Sequence, residues 1–340
     1  MRWVPGLLLA LLSVPALACE MLQYRTVKAS PHVYVFEAAE GTTAVVNGNI
    51  VAVIGREAIL VVDSGQFPSV ASRVVDEIRA LSKAPVRYVV NTHWHGDHLL
   101  ANSVFKDAWP GAKFVAHPHS IERAVSSYAD YATRTPERLP SIIAGLQKQR
   151  ASAGDDEKVW VDRTIDCIEA AKPDIAAVRF LAPDTPLSDR LDVDLGGVGV
   201  SVRHVGSGNT PGDLVVWVEE DRLLATGDMV VAPVPYAIGS DLEPWTRTLA
   251  EVRRLAPAVI VPGHGPVMRD DSYVRDVDAL IATTNTQLRA FLARGVTRDD
   301  AARDLDVGAF RARHITTPMR RHAFLAFYVR PAIAQLWPKK

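Results

Sequence analysis

The chain has 340 residues, and its 38 Lys and Arg almost balance 39 Asp and Glu, for a formal net charge of -1. That balance gives no electrostatic footprint for nucleic acid or an anionic membrane surface, and short charge runs such as Asp155-Asp156-Glu157-Lys158 read as solvated helix faces. A hydrophobic content of 48% supports a sizeable core in one large or two small domains. No stretch reaches the roughly 20 apolar residues that a membrane span needs.

Residues 1–18 read as a signal peptide, outside the fold. Arg2 supplies a positive n-region, Leu7-Leu8-Leu9-Ala10-Leu11-Leu12 an apolar h-region, and Ala16-Leu17-Ala18 a small-residue cleavage site. Cleavage after Ala18 leaves Cys19 at the mature N-terminus with two fates open. Either it pairs with Cys167, the only other cysteine, in an oxidising compartment, or it carries a lipid anchor as in bacterial lipoproteins, for which Ala16 is less typical than Leu. The expectation is a periplasmic or secreted protein, with an outer-membrane lipoprotein as the lesser alternative.

Beyond the leader, His32 to Glu37, Ile50 to Ile54 and Ala58 to Val62 read as strands. Pro68 to Ser82 reads as a helix, because Val70, Val74 and Ile78 recur at helical spacing. The strand Val86-Arg87-Tyr88-Val89-Val90 then runs into Thr92-His93-Trp94-His95-Gly96-Asp97-His98, the most informative stretch of the chain. Imidazole and carboxylate are ligand types that zinc takes, and a loop after a strand holds them rigidly yet accessibly. His93 and His95 lie two apart and can point the same way, whereas Asp97 and His98 follow the turn at Gly96 and can reach a second metal.

After a strand at Phe114 to Ala116, residues 120–172 turn helical, with Ile142, Ile143 and Leu146 in one helix and Val159, Val161, Ile165 and Ile168 in another. This insertion either covers a cleft or forms a packed helical pair with no role in substrate choice. Strands resume at Val198 to His204, Leu214 to Val218 and Arg222 to Ala225. A helix from Pro244 to Leu255 then leads into Val259-Ile260-Val261. Residues 271–340 form a helical extension, in which Asp271 or Ser272 caps a helix bearing Val274, Val277, Ile281, Leu288 and Leu292 on one stripe. More helix is expected at Asp299 to Leu305 and Met319 to Leu336. The extension is expected to pack on the preceding domain, the alternatives being a dimer surface or a wall of the active site. His314 and His322 are read as structural or exposed, and the oligomeric state stays open.

Asp228 ends a strand in Ala225-Thr226-Gly227-Asp228, His264 lies in Val261-Pro262-Gly263-His264-Gly265, and Asp63 lies in Ile59-Leu60-Val61-Val62-Asp63-Ser64-Gly65. In this order with the His93 run, these residues resemble the metallo-β-lactamase fold superfamily over about residues 30–270. The resemblance implies an α/β protein, a four-layer αββα sandwich over residues 19–270. It also implies zinc ligands at His93, His95, Asp97, His98 and His264, a metal-bridging Asp228, and a buried Asp63 that braces the metal loop.

One position departs from the pattern. In Val205-Gly206-Ser207-Gly208-Asn209-Thr210-Pro211-Gly212-Asp213, Asn209 stands where the family has His, while its neighbours read as in the family. A neutral amide oxygen is a poor exchange for an imidazole nitrogen at zinc. The site built from His93, His95 and Asn209 is therefore expected to hold metal more weakly than that of Asp97, His98 and His264, giving one tight zinc and a second, weaker one. His204 is a conceivable substitute, although alternation in Val200 to His204 reads it as a strand residue. His117 and His119 either line the cleft or face solvent.

The resemblance implies a secreted zinc-dependent hydrolase that attacks an amide or ester-type carbonyl of a β-lactam or related small molecule. Asp97 and Asp228 would hold metal, orient water and move protons. Trp94 and Tyr236 are candidate substrate contacts, being aromatic and near ligands. A lactonase, a thioesterase or a metal-binding protein that has lost catalysis are the alternatives; Asn209 favours the last, and the intact Asp97, His98, Asp228 and His264 oppose it.

Overall fold

The computed structural model describes residues 19–337, so the expected signal peptide lies outside the described residues. β-Branched runs make the strands of a first sheet: β1 (Tyr24–Lys28), β2 (Val33–Ala38), β3 (Ile50–Ile54), β4 (Ile59–Val62), β5 (Val86–Val90), β6 (Lys113–Ala116) and the two-residue β7 (Thr185–Pro186). They lie in chain order, antiparallel from β1 to β4 and parallel from β4 to β7. The second sheet has the order β12-β11-β10-β9-β8, from β8 (Arg190–Asp194), β9 (Gly199–His204), β10 (Leu214–Val218), β11 (Leu223–Val231) and β12 (Val259–His264). Its strands are antiparallel except for the parallel pair β11 and β12.

The inner faces of the two sheets interdigitate: Val35, Val53 and Leu60 from the first form one core with Val202, Val216 and Leu223 from the second. Burying each such side chain contributes about 1.5–3 kcal/mol, an upper figure because the unfolded chain already shields part of its surface. The outer face of the first sheet is covered by α1 (Pro68–Leu81) and α3 (Asn102–Ala108), which set Val74, Ile78 and Phe105 against Ile59 and Val89. Helices α7 (Leu242–Arg254) and α8 (Ser272–Ala293) cover the second, with Trp245, Leu249, Val277 and Ile281 packed near Ile260. The result is the expected αββα sandwich. Between α1 and α3 lies the single turn α2 (Gly96–Leu99), which carries the ligand run.

Strands β1 and β8 were not expected from the sequence. Both have largely exposed residues, alternating with half-buried ones in β8, so neither shows the apolar run of a buried strand; such marking is usual at a sheet edge. Strand β11 also runs on to Val231, past the Ala225 end expected for it, and so carries Asp228 within the sheet.

The segment expected as a helical insertion forms α4 (Pro118–Tyr128), α5 (Tyr131–Ser152) and α6 (Asp155–Ala177). Cys167 of α6 is disulfide-bonded to Cys19, and the pair sits in an apolar cluster with Met21, Val45, Phe67 and Ile168. After α8 come α9 (Arg298–Asp304), α10 (Gly308–His314), α11 (Pro318–Phe324), a π-helical turn Leu325–Val329 and α12 (Arg330–Leu336). This extension packs on the sandwich, where Phe324, Tyr328 and Ile333 share a core with Val234, Tyr236 and Trp245. His314 pairs with Asp276, and His322 packs against Trp160 of α6 with the rings tilted, so both make contacts within the fold.

Candidate metal centre

The centre lies toward the carboxyl ends of strands that pair in parallel, where side chains can converge. Asp63 follows β4, the run from Thr92 to His98 follows β5, Asp228 lies late in β11 and His264 ends β12. The register of β11 on β12 shifts at Gly227, a bulge that places Asp228 toward the centre. Close approach fixes Gly263, since a Cβ there would sit 2.0 Å from Asp228 Oδ1. Gly227, at φ 52°, holds a left-handed conformation against Thr92.

Two groups of ligand atoms result. His93, His95 and Asp228 make one, and Asp97, His98 and His264 the other. In the first, His93 Nε2 and His95 Nδ1 converge to 2.9 Å, with Asp228 Oδ2 at 3.7 Å from His93 Nε2. In the second, His98 Nε2 and His264 Nε2 stand 3.3 Å apart, and Asp97 Oδ2 lies 3.0 Å from His264 Nε2 and 3.4 Å from His98 Nε2. Asp228 spans both, because its Oδ1 is 3.2 Å from His98 Nε2 and 3.4 Å from His264 Nε2.

The surroundings fix the tautomers. His98 Nδ1 donates to Asp63 Oδ2 at 2.8 Å, which leaves Nε2 facing the centre. The Thr92 hydroxyl donates its one hydrogen to Asp63 Oδ2 at 2.9 Å and therefore accepts from His93 Nδ1 at 3.0 Å, so His93 Nε2 also presents a lone pair inward. Asp63 further accepts from the Thr92 amide at 2.7 Å, closing a brace around the loop.

Burial and the neighbouring imidazoles of His98 and His95 hold His93 well below the usual histidine range. Burial likewise lowers His95, and both thereby keep the neutral form that binds metal. Burial also opposes charge on His98 and His264, but the carboxylates around them win. Asp228, Asp97 and Asp63 raise His98 well above its ordinary value, and Asp228 and Asp97 bring His264 up to about 9. A field that stabilises imidazolium this strongly stabilises a cation in the same place.

The residues present fit a metal by a further test. Asp228 Oδ1, which faces His98 Nε2 and His264 Nε2, and Asn209 Oδ1 are buried with no hydrogen-bond partner among the described residues, as are His95 Nε2 and His264 Nδ1 on the far sides of their rings. Such atoms are costly unless something else satisfies them, and Asp228 Oδ1 lies where the second group converges, so a cation held there would satisfy it.

His93 and His95 converge with Asp228, the residue expected to bridge the two ions, and Asn209 is buried. The Asn209 side chain donates Nδ2 to the Tyr236 carbonyl at 2.8 Å, and its turn is held by Asp213, which accepts from Thr210 Oγ1 at 2.6 Å. Burial pushes Asp213 up to about 7 despite those bonds. His204 takes no part in either group; its Nδ1 lies 2.9 Å from the Asp213 carbonyl, and its ring packs, tilted, against His117. His117 caps α4 by accepting from the His119 amide.

The two aromatic candidates part ways. Trp94 packs on His95 at 4.5 Å and under the Arg123 guanidinium, and it is absent from the wall of the cleft over the centre. Tyr236 is on that wall, and its hydroxyl donates to the Gly41 carbonyl at 2.9 Å. Tyr128 and Tyr131 from the insertion and Phe327 from the extension also line the cleft. No sequence signal marked them, since neither segment carries a motif and their approach is tertiary.

A sequence profile described as the Metallo-beta-lactamase superfamily matches residues 43–264. A linear primary-alkylsulfatase of Pseudomonas sp. (strain ATCC 19151) is 24% identical over 263 residues, covering 72% of this chain and 47% of the relative. Among solved structures, a metallo-beta-lactamase from Pontibacter korlensis superposes with a TM-score of 0.55 at 19% identity, covering 76% of this chain and 99% of that one. The sec-alkylsulfatase Pisa1 from Pseudomonas sp. gives a TM-score of 0.62 at 15% identity over 92% of this chain and 50% of that one. The chain spans about half the length of the curated relatives it matches.

Proposed function

Because the chain belongs to the metallo-beta-lactamase superfamily, we propose that it is a zinc-dependent hydrolase of small molecules, acting on an amide or ester-type carbonyl. The observation that carries this reading is the bridging of two convergent ligand groups by Asp228. His93, His95 and Asp228 would hold one ion and Asp97, His98 and His264 the other, with Asp228 shared. When bound, zinc lowers the pKa of a coordinated water to about 7 and polarises a carbonyl as a Lewis acid.

The chain's own groups do the rest. Asp97 and Asp228 accept hydrogen bonds from the attacking water and orient it, and a carboxylate there can pass the proton to the leaving group. Asp63 holds His98 directly and His93 through the Thr92 hydroxyl, so both present Nε2 and the geometry is set before substrate arrives. The ring of Tyr236 and the side chains of Tyr128 and Phe327 narrow the approach and exclude bulk water.

A second reading, cleavage of a sulfate ester, is favoured by one observation. The alkylsulfatase superposition covers 92% of the chain and the metallo-beta-lactamase one 76%. The Cys19–Cys167 disulfide supports a periplasmic or secreted location. No described helix is long and apolar enough to cross a membrane. The test is a hydrolysis screen of zinc-loaded protein against chromogenic β-lactams, lactones, thioesters, aryl esters and aryl sulfates. Turnover of carbonyl substrates supports the first reading, turnover of sulfates alone replaces it with the second, and turnover of none at full zinc loading leaves the metal-binding protein without catalysis.

A further inference from the structure

The cleft above the metal centre has a volume of about 280 Å³, at the lower edge of the range for small-molecule sites. Its wall beyond the ligands is apolar: Val46, Leu100, Ile238 and Phe327, with the rings of Tyr128 and Tyr131. None of the described residues lining it is Lys or Arg, and its charged members are Asp97 and Asp228. The remaining polar groups, the Gln66 amide and the tyrosine hydroxyls, are neutral, and burial raises both phenols, so they stay protonated at any pH of interest. Arg123 is engaged over Trp94 and is not part of the wall.

We infer that the cleft selects substrates whose only polar part is the reacting group, the remainder being uncharged and apolar, and that it rejects those bearing a second anionic group. The inference rests on the hydrolase reading and narrows it to neutral aryl or alkyl esters and lactones, away from carboxylate-bearing β-lactams. The physical ground is desolvation. A carboxylate drawn into this wall gives up its water and meets only neutral donors beyond the ligands, whereas an alkyl or aryl group of the same size gains by leaving water.

Two matched pairs test it on the zinc-loaded protein. Valerophenone and 4-benzoylbutyrate are non-hydrolysable ketones that differ by a terminal methyl against a carboxylate, and their binding is read by calorimetry. The 4-nitrophenyl ester of hexanoic acid and the mono-4-nitrophenyl ester of adipic acid differ in the same way, and their kcat/KM is read from nitrophenolate release. The expected result is that the neutral member of each pair is favoured at least about tenfold. Equal or tighter binding of 4-benzoylbutyrate, or no binding of either ketone, overturns the inference. A ketone preference without turnover of either ester overturns the hydrolase reading and leaves the selectivity standing. Ile238 is 44% exposed, so Ile238→Arg can add a cation without opening the core. That variant should narrow the ketone preference several-fold, and an unchanged preference would show that charge is not what the cleft reads.

Discussion

The side-chain amide of Asn209 donates to the backbone carbonyl of Tyr236 at 2.8 Å, which fixes the amide plane and leaves its oxygen buried without a partner. The bond joins the turn after β9 to the loop after β11, and it settles which end of the amide can serve a cation.

Replacing Asn209 by His exchanges a weak oxygen donor for an imidazole but gives up the bond to Tyr236. Wild-type protein dialysed against trace zinc should carry one equivalent per chain, and Asn209→His should carry two, because the first group then has three nitrogen or carboxylate ligands beyond the shared one. Metal analysis and zinc titration calorimetry read both. Two equally tight ions in the wild type would show that Asn209 and Asp228 already suffice.

Asp63 holds three donors at once, the Thr92 amide, the Thr92 hydroxyl and His98 Nδ1. Asp63→Ala should lower zinc affinity by about 10–100-fold and cost about 3–5 kcal/mol of stability, since a buried imidazole loses its counter-charge. Competition with a chromogenic chelator and urea denaturation measure the two effects separately. Wild-type affinity in the variant would mean that the ligands orient themselves without the brace.

The disulfide closes a loop of 148 residues and ties the start of the described chain to the insertion. Thiol counting on denatured protein from an oxidising compartment should find no free cysteine. Cys167→Ser should lower stability by about 2–4 kcal/mol. Two free thiols, or a lipid on Cys19, would contradict the pairing.

The sequence made the ligands legible because they come as local motifs with fixed neighbours, and His93, His95, Asp97, His98, Asp228 and His264 all meet in space. The bridging place of Asp228 came with the family resemblance, whereas the distances at which it meets His93 and His98 were not legible, since they depend on how β11 and β12 lie against the β5 loop. Edge strands β1 and β8 escaped notice for want of an apolar run. The cleft wall escaped it more completely: Tyr128, Ile238 and Phe327 come from three distant segments, and only the packing of the insertion and the extension brings them together.

Asp221, at the turn between β10 and β11, receives bonds from the Ser30 hydroxyl, from the His32 amide at 3.0 Å and from the His32 ring at 2.9 Å, and so ties the first sheet to the second. Burial works against its charge, but these bonds hold its carboxyl below the usual range. A depressed carboxylate stabilises the fold above its unfolded pKa of about 3.9, and that stability is lost as pH falls through the lower folded value. Asp221→Asn should therefore cost about 1–3 kcal/mol at pH 7, with the gap from wild type closing below about pH 4. Denaturant midpoints at several pH values check it, and a gap independent of pH would rule out the charge as the source.

The most direct measurement is turnover of one chromogenic substrate by a single preparation in three states: zinc-loaded, dialysed against chelator, and reloaded with zinc. Asp97→Ala is carried through the same cycle as the control for the second ligand group. Hydrolysis should be present in the first state, lost in the second and restored in the third, and Asp97→Ala should stay inactive throughout with reduced zinc content. Full turnover after the metal is removed, or in Asp97→Ala at low zinc, would contradict the assignment of this centre as the hydrolytic site.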